Sequence, residues 1–368
     1  MQLGFFTMPI HPLGKDWRQS LREDREAFML ADQLGFAEAY VGEHATDEAE
    51  NITSCSLFLA TLVGHIKQMR LGTGTVNMPN THPARVAAEI AMLDHLLDGR
   101  FNFGISPGGL PSDAEVFGSL GADRNAMFLE CIDQVLEIWR TEPPYNIKGK
   151  FWNITTEKTL IRDIGQGILP RPLQRPHPPI VCTVVAPFSK GVTEAAARGW
   201  DPISANFLLP QWVRSHWPKY AEGCERVGRP ALAANWRVAK SIFVADDEET
   251  ARRYVSDANS PYRFYYSQLL TKLQRAGRAE LFKHDRNMPD DAVTLDQVCN
   301  DLIIWGTPAR VAEQILAFQD QVGDFGTLLY AGHDWADPAL ARRSMVLLSE
   351  QVMPLVNGAI GAAREAAD

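Results

Sequence analysis

Long apolar runs are missing from this chain: no stretch approaches the 18 or more consecutive apolar residues of a membrane-spanning helix. The amino-terminal MQLGFFTMPIHPLG has neither a basic leading region nor a sufficient apolar run, so no secretory signal is expected there. Cysteine is sparse. Its five copies, Cys55, Cys131, Cys182, Cys224 and Cys299, are scattered and odd in number, which argues against a disulfide scaffold or clustered metal site and for reduced thiols in a cytoplasm. Lysine and arginine number 36 against 45 acidic residues, for a formal charge of −9. With no basic run interleaved with aromatics, neither nucleic acid nor a membrane is an expected partner. HExxH, CxxC, a nucleophile elbow and a P-loop are all absent, so metal-dependent, serine-hydrolase and nucleotide-hydrolase chemistry lack support, and no metal is expected.

What is there is an ordinary globular composition, 45% hydrophobic and 22% charged over 368 residues, enough chain to bury its own core. Short apolar runs alternate with longer amphipathic ones. Strands are expected at 3–6, 37–44, 70–78, 100–106, 178–185, 201–207, 236–245 and 327–332. Helices are expected at 20–36, 56–66, 83–97, 124–140, 189–200, 212–228, 247–257, 307–323 and 341–353. Strand–helix alternation repeated eight times is the pattern of an α/β fold of the (β/α)8 TIM-barrel class, here one domain over 1–368. A doubly wound open sheet would want a glycine-rich turn after the first strand, and TMPIHPLG offers none of the right spacing.

Two segments interrupt the rhythm, one after strand 4 and one after strand 7. Residues 141–178 are rich in Pro and Gly, with a small hairpin expected around KGKFWNI. Residues 257–303 begin aromatic and basic, then turn acidic and loop-like; insertions at the carboxyl ends of barrel strands are where lids are built. The tail GAIGAAREAAD reads as frayed.

Barrel enzymes place their chemistry at the carboxyl ends of the strands. There the first strand brings Phe5, Phe6 and Met8, an apolar wall, and the second brings Glu43 and His44. His44 titrates near neutral pH and suits general acid–base work. Glu43 points to the opposite face of an ideal strand, so the pair is not automatically a dyad; a carboxylate bonded to backbone is the other reading. The third strand ends in Gly74, Thr75 and Asn77, and the fourth runs into SPGGLPSD (106–113), too rich in Gly and Pro for regular structure, with Leu110 beside the pocket. After the fifth, Pro187, Phe188, Ser189, Lys190 and Gly191 lead into a helix whose free N–H groups make an anion site, unless Ser189 simply caps it. His333, Asp334 and Trp335 follow the last strand, and His333 and Trp335 are taken as lining the substrate pocket with Phe5, Phe6, Met8, Glu43 and Leu110.

GEHATDEAENI, the block from RLGTGTVNMPNTHPARVAAEIAMLDHLLDGRFNFGIS through SPGGLPSDAEVFG, SIFVADDEETARR, GTPARVAEQI and FGTLLYAGHDWADP together resemble the bacterial luciferase-like flavin-dependent monooxygenases, the limonene monooxygenase-like proteins in particular. The resemblance runs over nearly the whole chain. It implies a two-component system in which a separate NAD(P)H:flavin reductase supplies reduced FMN, O2 is co-substrate, and a flavin hydroperoxide is kept dry; the expected wall of Phe5, Phe6, Met8 and Trp335 suits a small apolar substrate such as a terpene or cyclic ketone. It implies that His44 is the active-site histidine, that Gly74–Thr75 is a non-prolyl cis peptide against the flavin ring, that Pro187–Gly191 binds the phosphate, and that the chain forms a homodimer; the apolar helices at 83–97 and 124–140 are the candidates for its interface, with plain core packing the other reading of those stripes. Luciferase carries a reactive cysteine and then an arginine after the fourth strand where this chain has Ser106 and Pro107. That departure puts light emission in doubt and leaves the phosphate charge to be met otherwise, with Lys190 the candidate. The same barrel also hosts deazaflavin-dependent hydride transfer, and a non-catalytic flavin-binding relative is a third reading.

Overall fold

Neighbouring side chains of a strand leave opposite faces, so each barrel strand feeds two cores at once. The computed structural model describes residues 1–8 and 10–365 and contains eight such strands: β1 (Gln2–Thr7), β2 (Glu38–Val41), β3 (Arg70–Thr73), β4 (Phe101–Ser106), β5 (Ile180–Val184), β6 (Asp201–Ser204), β7 (Arg237–Val244) and β8 (Thr327–Ala331). Each pairs in parallel with the next, and β8 returns to β1 with Gln2 opposite Thr327 and Phe6 opposite Ala331, closing the ring. All eight expected strands are present, and the barrel class is the observed one.

The helices between them are α1 (Trp17–Gln33), α2 (Cys55–Ala60), α3 (Pro83–Leu96), α4 (Pro111–Val116), α5 (Arg124–Arg140), α6 (Lys190–Ala197), α7 (Pro210–Arg214), α8 (His216–Arg226), α9 (Glu248–Ser256), α10 (Pro261–Arg275), α11 (Leu295–Leu302), α12 (Pro308–Val322), α13 (Pro338–Leu347) and α14 (Met353–Glu365). Their starts are locally encoded. Asp16, Ser54, Asp123, Asp247 and Asp337 each accept a bond from a first-turn N–H, and Pro opens α3, α4, α10 and α12, where its missing N–H costs nothing.

The outer core lies between barrel and helices and takes Leu3 and Phe5 from β1; the Phe5 ring meets Phe28 of α1 edge-on at 5.0 Å. The inner core takes Phe6, packed with Tyr40, Val181, Ile203, Ala239 and Leu329, and Met8 lies against it. Toward the amino ends of the strands the barrel is polar. Arg237 donates to both oxygens of Glu38 at 2.6 and 3.0 Å, and Tyr40 and Asn102 add their own bonds to the same carboxylate. Every charged atom of that layer has a partner, the condition under which buried charge is tolerated.

Three local expectations need correction. SPGGLPSD is irregular only as far as Leu110; Pro111 starts α4, as a proline at a first helical position can. The segment 257–303 is not loop-like in its second half: it holds α11 and a strand, Ile303–Gly306, that pairs in parallel with Ser241–Val244 of β7. The tail is helical through Glu365, and only 366–368 lie outside the described residues. The run Pro338–Ala363 is long and apolar enough to cross a membrane by length and composition, yet its Ala341, Met345, Leu348, Val352 and Val356 are buried in the outer core. The hairpin falls as expected, Asn146–Lys148 against Asn153–Thr155, and Glu130 of α5 holds its turn by accepting from the N–H groups of Lys150, Phe151 and Trp152.

Candidate active site

His44 follows β2 at the carboxyl-terminal mouth of the barrel, half-buried. Its Nδ1 donates to Asp113 Oδ2 at 2.9 Å. Asp113, on the first turn of α4, also accepts from Ala45 N, Thr46 N and the Thr46 hydroxyl at 2.7–3.1 Å, so its orientation is set by the loop that carries the histidine. Burial pushes the Asp113 carboxyl up, but the bonds from His44 and Thr46 outweigh it and hold the group below the usual carboxylate range. Burial likewise pushes His44 down, and the Asp113 bond with the charges of Glu50 and Asp113 pushes it up by more, leaving it above the ordinary histidine value. An imidazole fixed through Nδ1 by a carboxylate presents Nε2 for proton exchange.

Glu43 takes the opposite direction. Both its oxygens are spent inside the wall, Oε2 on the Cys55 N–H and thiol and Oε1 on the Asn77 N–H. Strand alternation separates it from His44, and the backbone-bonded reading is the one the geometry supports. Its bond to Asn77 begins a chain across three strand ends. Asn77 donates to the Glu43 carbonyl and accepts from the Ser106 hydroxyl at 3.0 Å, and Ser106 in turn accepts from the Thr75 hydroxyl at 2.7 Å and from Gly108 N at 3.1 Å. The Gly74–Thr75 peptide is cis. A side chain at Gly74 would come within 2.9–3.0 Å of Tyr40 and Phe6, so the inner core presses directly on this backbone.

Ser106 opens onto a cavity of about 730 Å³ over β4 and β5, large enough for a cofactor. Ile105, Phe128, Leu129, Val184 and Val185 make its walls apolar, and Ser189 and Gly191 place the start of α6 at one end. Ser189 makes no side-chain bond to that start, so the first-turn N–H groups are not capped by it. Pro187 is half-buried in the turn, and Phe188 has φ of 53°, an uncommon conformation for a side-chain-bearing residue; its N–H donates to Ser215 Oγ at 2.9 Å. Lys190 is exposed and does not line the cavity. Two arginines do. Arg198 is paired with Asp133 at 2.6 Å, whereas Arg278, from the segment after α10, has no ion-pair partner among the described residues. Cys182 also lines the cavity, with burial pushing its thiol up to about 12, so it is neutral and unreactive there.

The expected substrate wall divides. Phe6 and Met8 face the barrel interior. Phe5 does not, because adjacent strand residues cannot share a face. Trp335 also packs into the outer core, beneath the Arg342 guanidinium at 5.0 Å. Leu110 is the half-buried residue before α4. His333 meets the Tyr262 and Tyr265 rings of α10 at 4.3 and 4.5 Å, with Nε2 3.0 Å from Ser241 Oγ and Nδ1 buried without a hydrogen-bond partner among the described residues. Burial pushes it down to about 3, so it stays neutral. Ser241 joins it to Tyr266 and Asn206, and Asn206 to Tyr265.

Asp113, Glu50, Lys272, Arg278 and the Ser241–Tyr266 pair were not singled out from sequence. Asp113 stood in the quoted SPGGLPSD string, where an acid just after Pro at a helix start was the available signal. Nothing local marks Lys272 or Arg278, since their partners and cavity lie far away in the chain.

A closed parallel barrel with a carboxylate-held histidine at its mouth and an apolar cavity ending on a helix start has the make-up of a barrel enzyme with room for a bound organic ligand. The chain belongs to the luciferase-like monooxygenase family, which it matches over residues 1–324. It is 31% identical to 4-hydroxyprotoasukamycin monooxygenase of Streptomyces nodosus subsp. asukaensis, over 98% of this chain and 93% of that one. Identity to limonene 1,2-monooxygenase of Rhodococcus erythropolis is 28%, over 98% of this chain and 88% of the relative. Among solved structures, the oxygenating constituent of 3,6-diketocamphane monooxygenase from Pseudomonas putida, a type II Baeyer–Villiger monooxygenase in complex with FMN, is similar with a TM-score of 0.86 at 26% identity, over 96% of this chain and 98% of that one.

Proposed function

We propose that this chain takes reduced FMN from a separate NAD(P)H:flavin reductase and uses it with O2 to insert one oxygen atom into a small apolar substrate of the terpene or cyclic-ketone type. Family membership and the FMN-bound relative, itself named as an oxygenating constituent, support a two-component arrangement. The observation that carries the reading is the cavity over β4 and β5. Its size and apolar walls suit a flat ring, and the start of α6 with Arg278 suits a phosphate at one end. When bound, FMN supplies the electrons and the oxygen-activating centre.

The protein's own residues bind, orient and exclude water. In this reading Ser189 and Gly191 hold the phosphate through backbone N–H groups, with Arg278 in the role first considered for Lys190. Ser106 lines the ring's cavity and, through the bond between the Thr75 and Ser106 hydroxyls, ties the Gly74–Thr75 backbone to its edge. His44, oriented by Asp113, gives or takes the proton that oxygen transfer requires, and Phe6 and Met8 form the apolar side of the substrate space. Residues 1–368 act as one barrel domain, with 257–303 its lid. A homodimer fits the exposed Leu57, Met92, Leu96, Val116, Phe117 and Leu120 of α2 to the α4–α5 turn.

The test mixes anaerobic protein and reduced FMN with oxygenated buffer, then assays terpenes and cyclic ketones under 18O2. Flavin oxidation slower than in free solution, with one 18O atom in product, is expected, and His44→Ala should lower product formation by about 10²–10⁴-fold. Oxidation at the free-solution rate at every protein concentration, or product without 18O, removes the oxygenase reading.

A further inference from the structure

Helix α10 belongs to the insertion after β7, yet one of its side chains reaches the loop after β2. Lys272 Nζ donates to Glu50 Oε1 at 2.7 Å and also bonds the Asp47 carboxylate. The second oxygen of Glu50 lies 3.6 Å from His44 Nε2, too far for a hydrogen bond. One buried carboxylate therefore stands between two cationic groups, and with Lys272 in place His44 Nε2 has no hydrogen-bond partner among the described residues. The same helix lays Tyr262 and Tyr265 against His333 after β8, so it spans the rim of the mouth from β2 across β1 to β8.

We propose that Lys272 is a positioning residue that couples seating of α10 to the proton on His44: seated, its ammonium occupies Glu50 and leaves the Nε2 proton free to move to a bound molecule; lifted, it releases Glu50 to hold that proton. The proposal rests on the reading of His44 as the proton-handling group. It gives the lid a chemical consequence beyond shielding, since the histidine yields its proton only beneath a closed mouth.

The groups around the histidine make Lys272 and Glu50 the pair that can change. Asp113, on α4, is committed to Nδ1 and to the loop N–H groups. Asp47 shares Lys272. Glu43 faces away with both oxygens bonded. The Tyr265 hydroxyl of α10 is spent on Asn206. Lys15 and His11, across the cavity that Glu50 also lines, are held by Glu23, Asp24 and Asp334. In this arrangement the Glu50 charge pushes His44 up and the Lys272 charge pushes it down.

The test is an NMR titration of the flavin-free full chain carrying ring-labelled histidine, with the His44 signal assigned by its loss in His44→Asn. Lys272→Met is expected to raise the His44 pKa by about one unit. Lys272→Arg, which keeps the cation, should leave it near wild type, and Glu50→Gln should lower it. In the Lys272→Met/Glu50→Gln double variant the effect of losing Lys272 should largely vanish. Hydrogen exchange in α10 should speed up in Lys272→Met and not in Lys272→Arg. If Glu50 itself takes up the proton on losing Lys272, the His44 pKa will stay or fall, and the coupling is overturned; unchanged exchange in α10 overturns it equally. Neither measurement uses flavin or oxygen, so a failed oxygenase assay with an intact titration result would leave the coupling standing without its catalytic purpose.

Discussion

His11 carries a pH dependence for the fold on a single ring. Its Nδ1 lies 2.6 Å from Asp334 and its Nε2 3.2 Å from Asp24, so it ties the segment after β1 to α1 and to the turn after β8. Burial pushes the imidazole down, but bonds and charges of the two carboxylates raise it by more, from 6.5 to about 9. A proton bound more tightly in the folded state stabilises fully below 6.5, and that contribution is lost as pH rises through about 9. Its size is on the order of 3 kcal/mol. The Tm is expected to fall between pH 6.5 and about 9, and His11→Gln to begin lower and remain flatter across that window. Calorimetry at closely spaced pH values decides it: parallel curves for the two proteins would remove His11 as the source. Period-two alternation, used to separate Glu43 from His44, also separates Phe5 from Phe6, and applying it there would have kept Phe5 out of the pocket.

At the scale of elements, the cavity depends on where α6 lies, and α6 is positioned by α8. Gly223 permits that contact: a Cβ there would stand 2.2 Å from the Thr193 carbonyl oxygen and 2.7 Å from Ala196 Cβ. Gly223→Ala must push α8 away and drag the start of α6 with it. A loss of about 1–3 kcal/mol in urea unfolding is expected, with FMN affinity falling more than riboflavin affinity, since only FMN carries the phosphate. Equal losses for both flavins would place the damage elsewhere. Helix α10 was the most legible of the elements left unassigned. Tyr262, Tyr265, Tyr266 and Leu270, all buried, recur at helical spacing behind the Ser260–Pro261 start.

For the whole molecule, α2, α3 and α4 border a small cavity lined by Ser56, Glu89 and Phe117, and these helices and the turn after α4 carry the exposed Leu57, Met92, Leu96, Val116, Phe117 and Leu120. Met92 and Leu96 of α3 stand 57% and 46% exposed there, more than a monomer's surface helix needs. Sedimentation is expected to show a dimer for wild type and a monomer for Met92→Glu/Leu96→Lys, with the thermal transition largely kept. A double variant that sediments as wild type does would place the contact on another face.

Strand positions, barrel class and family were determined by the sequence alone, because alternation, caps and prolines act over a few residues. The places of His44, Thr75 and Ser189 in the fold were legible for the same reason: each sits at the end of a strand or the start of a helix that the local pattern places. The rest was decided by closure of the ring. Asp113 meets His44 across 69 residues of chain, Lys272 meets Glu50 across 222, and Arg278 reaches a cavity built chiefly by β4, β5 and α6. Electrostatic contact depends on distance in space, and distance along the chain carries no trace of it.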